Sequence, residues 1–308
     1  MAGTQQALCA IFDSGNCKAV EPAMTKRVFR VLFLSLACAA ASASAAENLS
    51  PEQRRAEFQK LPWQKGPVEG AIGQKATLAV PADGLLLPEG KTARFFELTG
   101  NLPSASASVV VRRDWFAVFS FKDSGYIKDD EKLDPDALLK AIKDRDEPEN
   151  EQRVKHGLTR MHTIGWIVPP HYDAQTKHLE WGLRIKSDES DDPVINYTVR
   201  LLGRSGYESV VLVSSPEKLD KNVGELKTML AGFDFNSGEK YDEFKPGDKI
   251  AEYGLGALIV GGAAAAVVKT GFWKVILAAL VASWKFVLAG AAAVVVGIRK
   301  FLSRDKTA

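Results

Sequence analysis

The chain has 308 residues, of which 25% are charged and 46% hydrophobic, a balance that excludes long disorder and collagen-like structure. The formal charge of +2 is unevenly spread: residues 1–46 carry four basic and two acidic side chains, residues 254–308 carry seven and one, and 29 basic and 35 acidic side chains lie between them. An acidic middle lacks the basic footprint that nucleic-acid binding requires, so no nucleic-acid partner is expected.

Residues 1–23 carry no recognisable pattern and read as an extension upstream of a start at Met24. From Met24 the chain is basic through Lys26, Arg27 and Arg30, apolar over Val31–Ala40, and small over Ala41-Ser42-Ala43-Ser44-Ala45-Ala46. Basic start, short apolar centre and an Ala-x-Ala exit predict a secretory signal peptide over 24–46. The apolar run is too short to cross a bilayer, which takes about 20 residues. Cys9, Cys17 and Cys38 are the only cysteines and all precede the expected cleavage. The mature chain then has no thiol, which excludes disulfide scaffolds, cysteine nucleophiles and cysteine-ligated zinc.

Residues 47–250 read as one exported domain. Pro51–Gln59 follows Ser50 as a helix with proline at its first position. A strand is predicted over Lys75–Val80, a helix over Glu89–Leu98, and strands over Val109–Val111 and Trp115–Phe121. Asp134-Pro135-Asp136 opens a helix as cap, first-turn proline and first-turn acid; it is expected to run to Arg145 and restart over Glu149–His156. Strands follow at 161–168, 178–186, 194–202 and 207–213, and Ser215-Pro216-Glu217 caps a final helix ending near Gly232. Adjacent strands joined by short loops predict an α+β fold, an antiparallel sheet with packed helices.

One hairpin can be placed in register. Leu179, Trp181, Leu183 and Ile185 alternate with polar neighbours, the period of a strand with one wet face. A four-residue loop over Asp173–Thr176 pairs Tyr172 with Lys177, sets Trp166 opposite Leu183, Ile164 opposite Ile185 and Val168 opposite Trp181, and makes His171 and His178 cross-strand partners. Glu180 follows on the same face, and His162 falls with the apolar set. His171, His178, Glu180 and Asp173 are therefore the candidate metal or acid–base residues, because imidazole and carboxylate together suit zinc. The competing reading is a pair of solvated histidines at a hairpin end, with no cofactor. Asp129-Asp130-Glu131 and the Asp188–Asp192 run lack the spacing and central glycine of a calcium loop. No Gly-x-Ser-x-Gly or His-Glu-x-x-His motif is present.

The C-terminal part addresses a membrane. Residues 251–302 form an apolar segment with one span expected at Val275–Ile298 and a second candidate at 254–268. Arg299, Lys300, Arg304 and Lys306 follow, the last two in a basic tail at 303–308, and basic flanks stay cytoplasmic. This orientation places the exported domain in the periplasm, on the outer face of the inner membrane. Trp273-Lys274 recurs as Trp284-Lys285 eleven residues later, nearly three helical turns, so these four are expected to share a membrane-contact face. Ala278/Ala282 and Ala293/Gly297 add small-xxx-small spacing, which suits self-association or pairing with another membrane subunit.

Three stretches carry a family resemblance: Trp115 through Asp130, Pro169–Asp173 with Leu179–Trp181, and Phe235–Tyr241 leading through Asp248–Gly254 into the apolar tail. From about Trp63 to Phe301 the chain resembles the bacterial membrane-anchored proteins of domain of unknown function 2167. The resemblance implies a signal peptide, an exported domain and a C-terminal membrane anchor, and it carries no catalytic residues. The expected function is a membrane-anchored periplasmic domain that binds a protein partner or ligand and is not itself an enzyme. A metal-dependent enzyme built on the histidine hairpin and a subunit of an inner-membrane complex are the alternatives.

Overall fold

A computed structural model describes residues 49–261. The expected extension, signal peptide, 275–298 span and basic tail lie outside the described residues. Among the described residues no helix is long and apolar enough to cross a membrane.

The chain enters through helix α1 (Pro51–Gln59), whose start is a capping box: Ser50 accepts from the Gln53 amide and Gln53 returns the bond to Ser50. Strands β1 (Gln64–Lys65), β2 (Val68–Ile72), β3 (Ala76–Val80) and β4 (Leu85–Leu87) follow, then helix α2 (Ala93–Leu98), β5 (Ser108–Arg112) and β6 (Trp115–Lys122). Helix α3 (Pro135–Lys155) leads into β7 (Met161–Asp173), β8 (His178–Ser187), β9 (Ser190–Leu202) and β10 (Tyr207–Ser214). Helix α4 (Leu219–Leu230), β11 (Phe233–Phe235) and a six-residue helix α5 (Leu255–Val260) complete the described chain.

Two antiparallel sheets result. The larger has the order β1-β4-β5-β6-β10-β9-β8-β7 and the smaller β11-β3-β2. The α+β reading with a large antiparallel sheet is what the structure shows. On one face of the large sheet, Phe119, Val199, Leu201 and Leu212 pack against Leu78 and Phe235 of the small sheet and Leu226 and Met229 of α4. On the other face, Trp181, Leu179 and Tyr207 pack against Leu138 of α3 and Leu258 of α5, while Phe116 and Val109 meet Phe95 of α2 and Phe58 of α1. Because both faces are covered, β6 and β10 are apolar on both sides, and simple alternation in their sequences is blurred.

Helix α3 is continuous over Pro135–Lys155 with Pro148 inside, where a break was expected. Tertiary bonds hold it on either side of the proline. Asp146 accepts from the Thr163 amide (2.7 Å) and hydroxyl (2.9 Å), and Asn150 bonds both the Met161 amide and its carbonyl at 2.8 Å each. These side chains occupy backbone groups that edge strand β7 would otherwise present to another chain. Further along, Pro169 and Pro170 lack an amide hydrogen, which only an edge strand tolerates.

The domain also extends beyond the expected boundary at 250. All six residues of α5 are buried. Its start is held by Glu131, which accepts from the Gly256 amide at 3.1 Å. Its end is held by Arg145 on the Val260 carbonyl and Arg200 on the Leu258 carbonyl. Gly261 closes the helix at φ 86°, and a side chain there would collide with the Arg145 guanidinium.

Candidate functional site

The histidine hairpin folds, but not in the expected register. Trp166 faces Leu183 as expected, yet Thr163 faces Ile185, Val168 faces Gly182, His171 faces Glu180 and Asp173 faces His178. Three irregularities between Thr163 and His171 each insert one extra residue on β7, which period-two counting cannot anticipate. His171 and His178 are therefore not cross-strand partners. His162, expected among the apolar set, is exposed and places Nε2 2.8 Å from Asp188 Oδ1.

What the register builds instead is a buried carboxylate with a ring of polar partners. Glu180 is 6% exposed and lies on the face covered by α4. Lys227 of α4 places Nζ 2.7 Å from Glu180 Oε2, and the Tyr197 hydroxyl of β9 donates to the same oxygen. His171 Nε2 stands 3.5 Å from Oε2 and His178 Nδ1 4.0 Å from Oε1. Burial opposes the charge on Glu180, but hydrogen bonds from Lys227 and Tyr197 and the Lys227 charge outweigh it, holding the carboxyl below its ordinary range. Burial lowers His178 despite Glu180 beside it, and burial together with the Glu180 hydrogen bond raises Tyr197. The carboxylate is thus ionised, the phenol stays a donor, and Lys227 supplies the counter-charge.

Of the four candidate ligands, His171, His178 and Glu180 are brought together, and Asp173 is not. Its Oδ1 accepts from the Gln175 amide (2.8 Å) and the Thr176 amide (3.4 Å) within its own turn. Among the described residues no group of three or more His, Cys, Asp or Glu side chains is placed to hold a metal. The cation that stands at Glu180 is the Lys227 ammonium, in hydrogen-bond contact with the carboxylate. Tyr197 and Lys227 escaped the sequence reading because they reach Glu180 from a different strand and a different helix, with no local spacing to mark them. The expected membrane-contact residues Trp273, Lys274, Trp284 and Lys285 lie outside the described residues.

The acidic runs also have structural tasks. Asp129 accepts from the Tyr172 hydroxyl at 2.8 Å and from Lys177 at 3.1 Å, and Glu131 caps α5. Lys177 adopts φ 59°, unusual for a side chain larger than glycine, and its ammonium also lies 5.1 Å from the Tyr241 ring centre.

A second polar assembly forms where three loops meet. A cleft of about 300 Å³ is lined by Asp123 and Gly125 after β6, Arg204 and Ser205 between β9 and β10, Gly238 and Glu239 after β11, and Asp248 and Lys249. Glycines allow the close approach: a Cβ at Gly206 would stand 2.0 Å from the Lys122 carbonyl oxygen, and one at Gly125 2.7 Å from that of Lys249. Arg204 donates through Nε and Nη2 to both oxygens of Asp248 at 2.7 Å and through Nη1 to the Gly238 carbonyl. That fork holds the Asp248 carboxyl down to about 2. Ser205 donates to Glu239, and Lys75 bonds both Ser205 and Glu239. The Ser205 hydroxyl thus donates to one side chain and accepts from another, which fixes its orientation.

The family profile described as "Protein of unknown function (DUF2167)" matches residues 64–294, and the chain belongs to that family. No curated protein matches it. Among solved structures it is similar to the solution structure of cyanobacterial PsbP (CyanoP) from Synechocystis sp. PCC 6803, with 13% identity over 56% of this chain and 97% of that one and a TM-score of 0.32. It is also similar to the crystal structure of the Saccharomyces cerevisiae Ran-binding protein Mog1p, with 11% identity over 60% of this chain and 100% of that one and a TM-score of 0.31. Similarity at that level says nothing of function.

Proposed function

We propose that this chain is a membrane-anchored domain of the bacterial cell envelope, exported to the periplasmic side of the inner membrane, where it binds a protein partner or ligand and catalyses no reaction itself. The observation that carries the reading is α5. Leu255–Val260 are buried in the domain, so the apolar stretch 254–268 loses the residues that made it a candidate span. The eight residues left at 261–268 would cover about 12 Å as a helix, against a hydrocarbon core of roughly 30 Å. Val275–Ile298 is then the single stretch of spanning length in this part of the chain, and the basic residues after it favour a cytoplasmic end.

The binding reading is further supported by the two polar assemblies. Each places its catalytically useful groups in satisfied pairs, with Glu180 against Lys227 and Ser205 between Lys75 and Glu239. Paired reporter fusions test the topology. Fusions after Lys249 and after Lys306 should report periplasm and cytoplasm respectively, and two periplasmic signals would reject the single-crossing anchor.

A further inference from the structure

The cleft between the loops has a charge pattern that selects a ligand class. Five of its eight lining residues are charged: Asp123, Glu239, Asp248, Arg204 and Lys249. Asp248 is consumed by Arg204 in a two-point bond, and Glu239 is consumed by Lys75 at 3.2 Å and by the Ser205 hydroxyl. Asp123 and Lys249 remain. Among the described residues neither side chain has a hydrogen-bond or ion-pair partner, and they are not paired with each other. The internal pairs fix the walls, because Arg204 is tied at Asp248 and at the Gly238 carbonyl while Ser205 is tied at both Lys75 and Glu239. One anion and one cation are thus left over in a preformed cleft at the small end of the range for ligand sites.

We infer that this cleft binds a small zwitterion, an amino acid or short peptide, with the ligand's ammonium at Asp123 and its carboxylate at Lys249. Both side chains are exposed to water; a neutral solute gains a charge-to-charge bond from neither, and a simple anion or cation gains one and meets the other as a like charge. A ligand carrying both groups satisfies each wall with a charge-assisted hydrogen bond. The inference rests on the binding-domain reading and adds the chemical class bound.

The test is a titration of the full-length chain in detergent, labelled with 15N-glycine, which gives amide signals for Gly125 and Gly238 in the cleft wall. Three probes are used: diglycine, N-acetylglycine without the ammonium, and glycinamide without the carboxylate. Diglycine is expected to shift both signals saturably, with each analogue at least tenfold weaker. Asp123→Asn and Lys249→Met change exposed, unpaired side chains, so both variants should keep the wild-type signals of the glycines outside the cleft while each loses at least tenfold in diglycine affinity. Equal binding of all three probes, or diglycine shifts that avoid Gly125 and Gly238, would overturn the assignment, as would no diglycine shift at all. None of these outcomes bears on the membrane topology, which the reporter fusions read independently.

Discussion

Lys227 on α4 sets its ammonium 2.7 Å from Glu180 Oε2 on β8, so the buried carboxylate at the centre of the histidine hairpin is neutralised by a side chain from another layer. The contact ties α4 to the sheet. Lys227 is half exposed at its outer end, whereas Glu180 is almost wholly enclosed.

Removing the ammonium should therefore cost more than removing a surface ion pair. Lys227→Met leaves an ionised carboxylate with Tyr197 alone as a strong donor, and a loss of about 1–3 kcal/mol is expected, allowing for solvent at the lysine end. Urea unfolding of Lys227→Met and Lys227→Arg measures it, with arginine retaining most of the stability. If methionine and arginine behave alike, the pair is not what steadies this layer.

The pH dependence has opposing contributions. Glu180 is held below its ordinary value, so its contribution is present above the unfolded carboxyl value and is lost as pH falls through the folded one. His178 is also lowered and must gain a proton in acid, which removes stability below its unfolded value of 6.5.

Glu208 acts in the other direction. It is 1% exposed, neither oxygen has a hydrogen-bond partner, and burial together with nearby Glu89 pushes it from 4.5 up to about 8. Its folded form holds a proton that the unfolded chain has released, so stability falls as pH rises from 4.5 to about 8. Each tenfold difference in proton affinity is worth about 1.4 kcal/mol, which makes the cost a few kcal/mol above pH 8. Glu208→Gln removes the titration. Chemical unfolding at pH 5 and pH 9 should show the variant gaining on the wild type only at the higher pH.

Helix α5 is predicted to be part of the folding unit. Leu258 is 0% exposed against Trp181 and its neighbours, and Leu258→Ala should destabilise by about 2–5 kcal/mol. A chain cut after Ile250 should bind a hydrophobic dye and unfold at a lower temperature than one cut after Gly261. Equal melting of the two would show that α5 is dispensable.

Asn150 is expected to protect the sheet edge. Asn150→Ala leaves the Met161 amide and carbonyl without their side-chain partners, at a cost of about 1–3 kcal/mol. Faster amide exchange at Met161, together with concentration-dependent association through β7, is the expected signature. Unchanged exchange at Met161 would mean that the edge is closed by something else.

Several features were legible from the residues alone. The cap at Ser50-Pro51 and the opening at Asp134-Pro135 mark helix starts, because they satisfy orphan amides within a few residues. The main strands of the large sheet show as apolar runs. The short strands β1, β4 and β11 carry too few residues for a periodic signal and exist because a partner strand holds them. Pro148 argues locally for a break, and the bonds of Asp146 and Asn150 to β7 override it.

The sequence by itself determined the domain class, the acidic middle, the hairpin that carries the histidines and the family to which the chain belongs. Tertiary structure alone decided which charges meet. Extra residues in β7 moved His171 from His178 to Glu180, and α4 delivered Lys227 to the same carboxylate. Packing of α5 against both α3 and the sheet withdrew Leu255–Val260 from the apolar tail into the core. The physical reason is common to all three: local periodicity reports which face of an element is apolar, whereas register shifts and layer packing depend on residues distant in the chain.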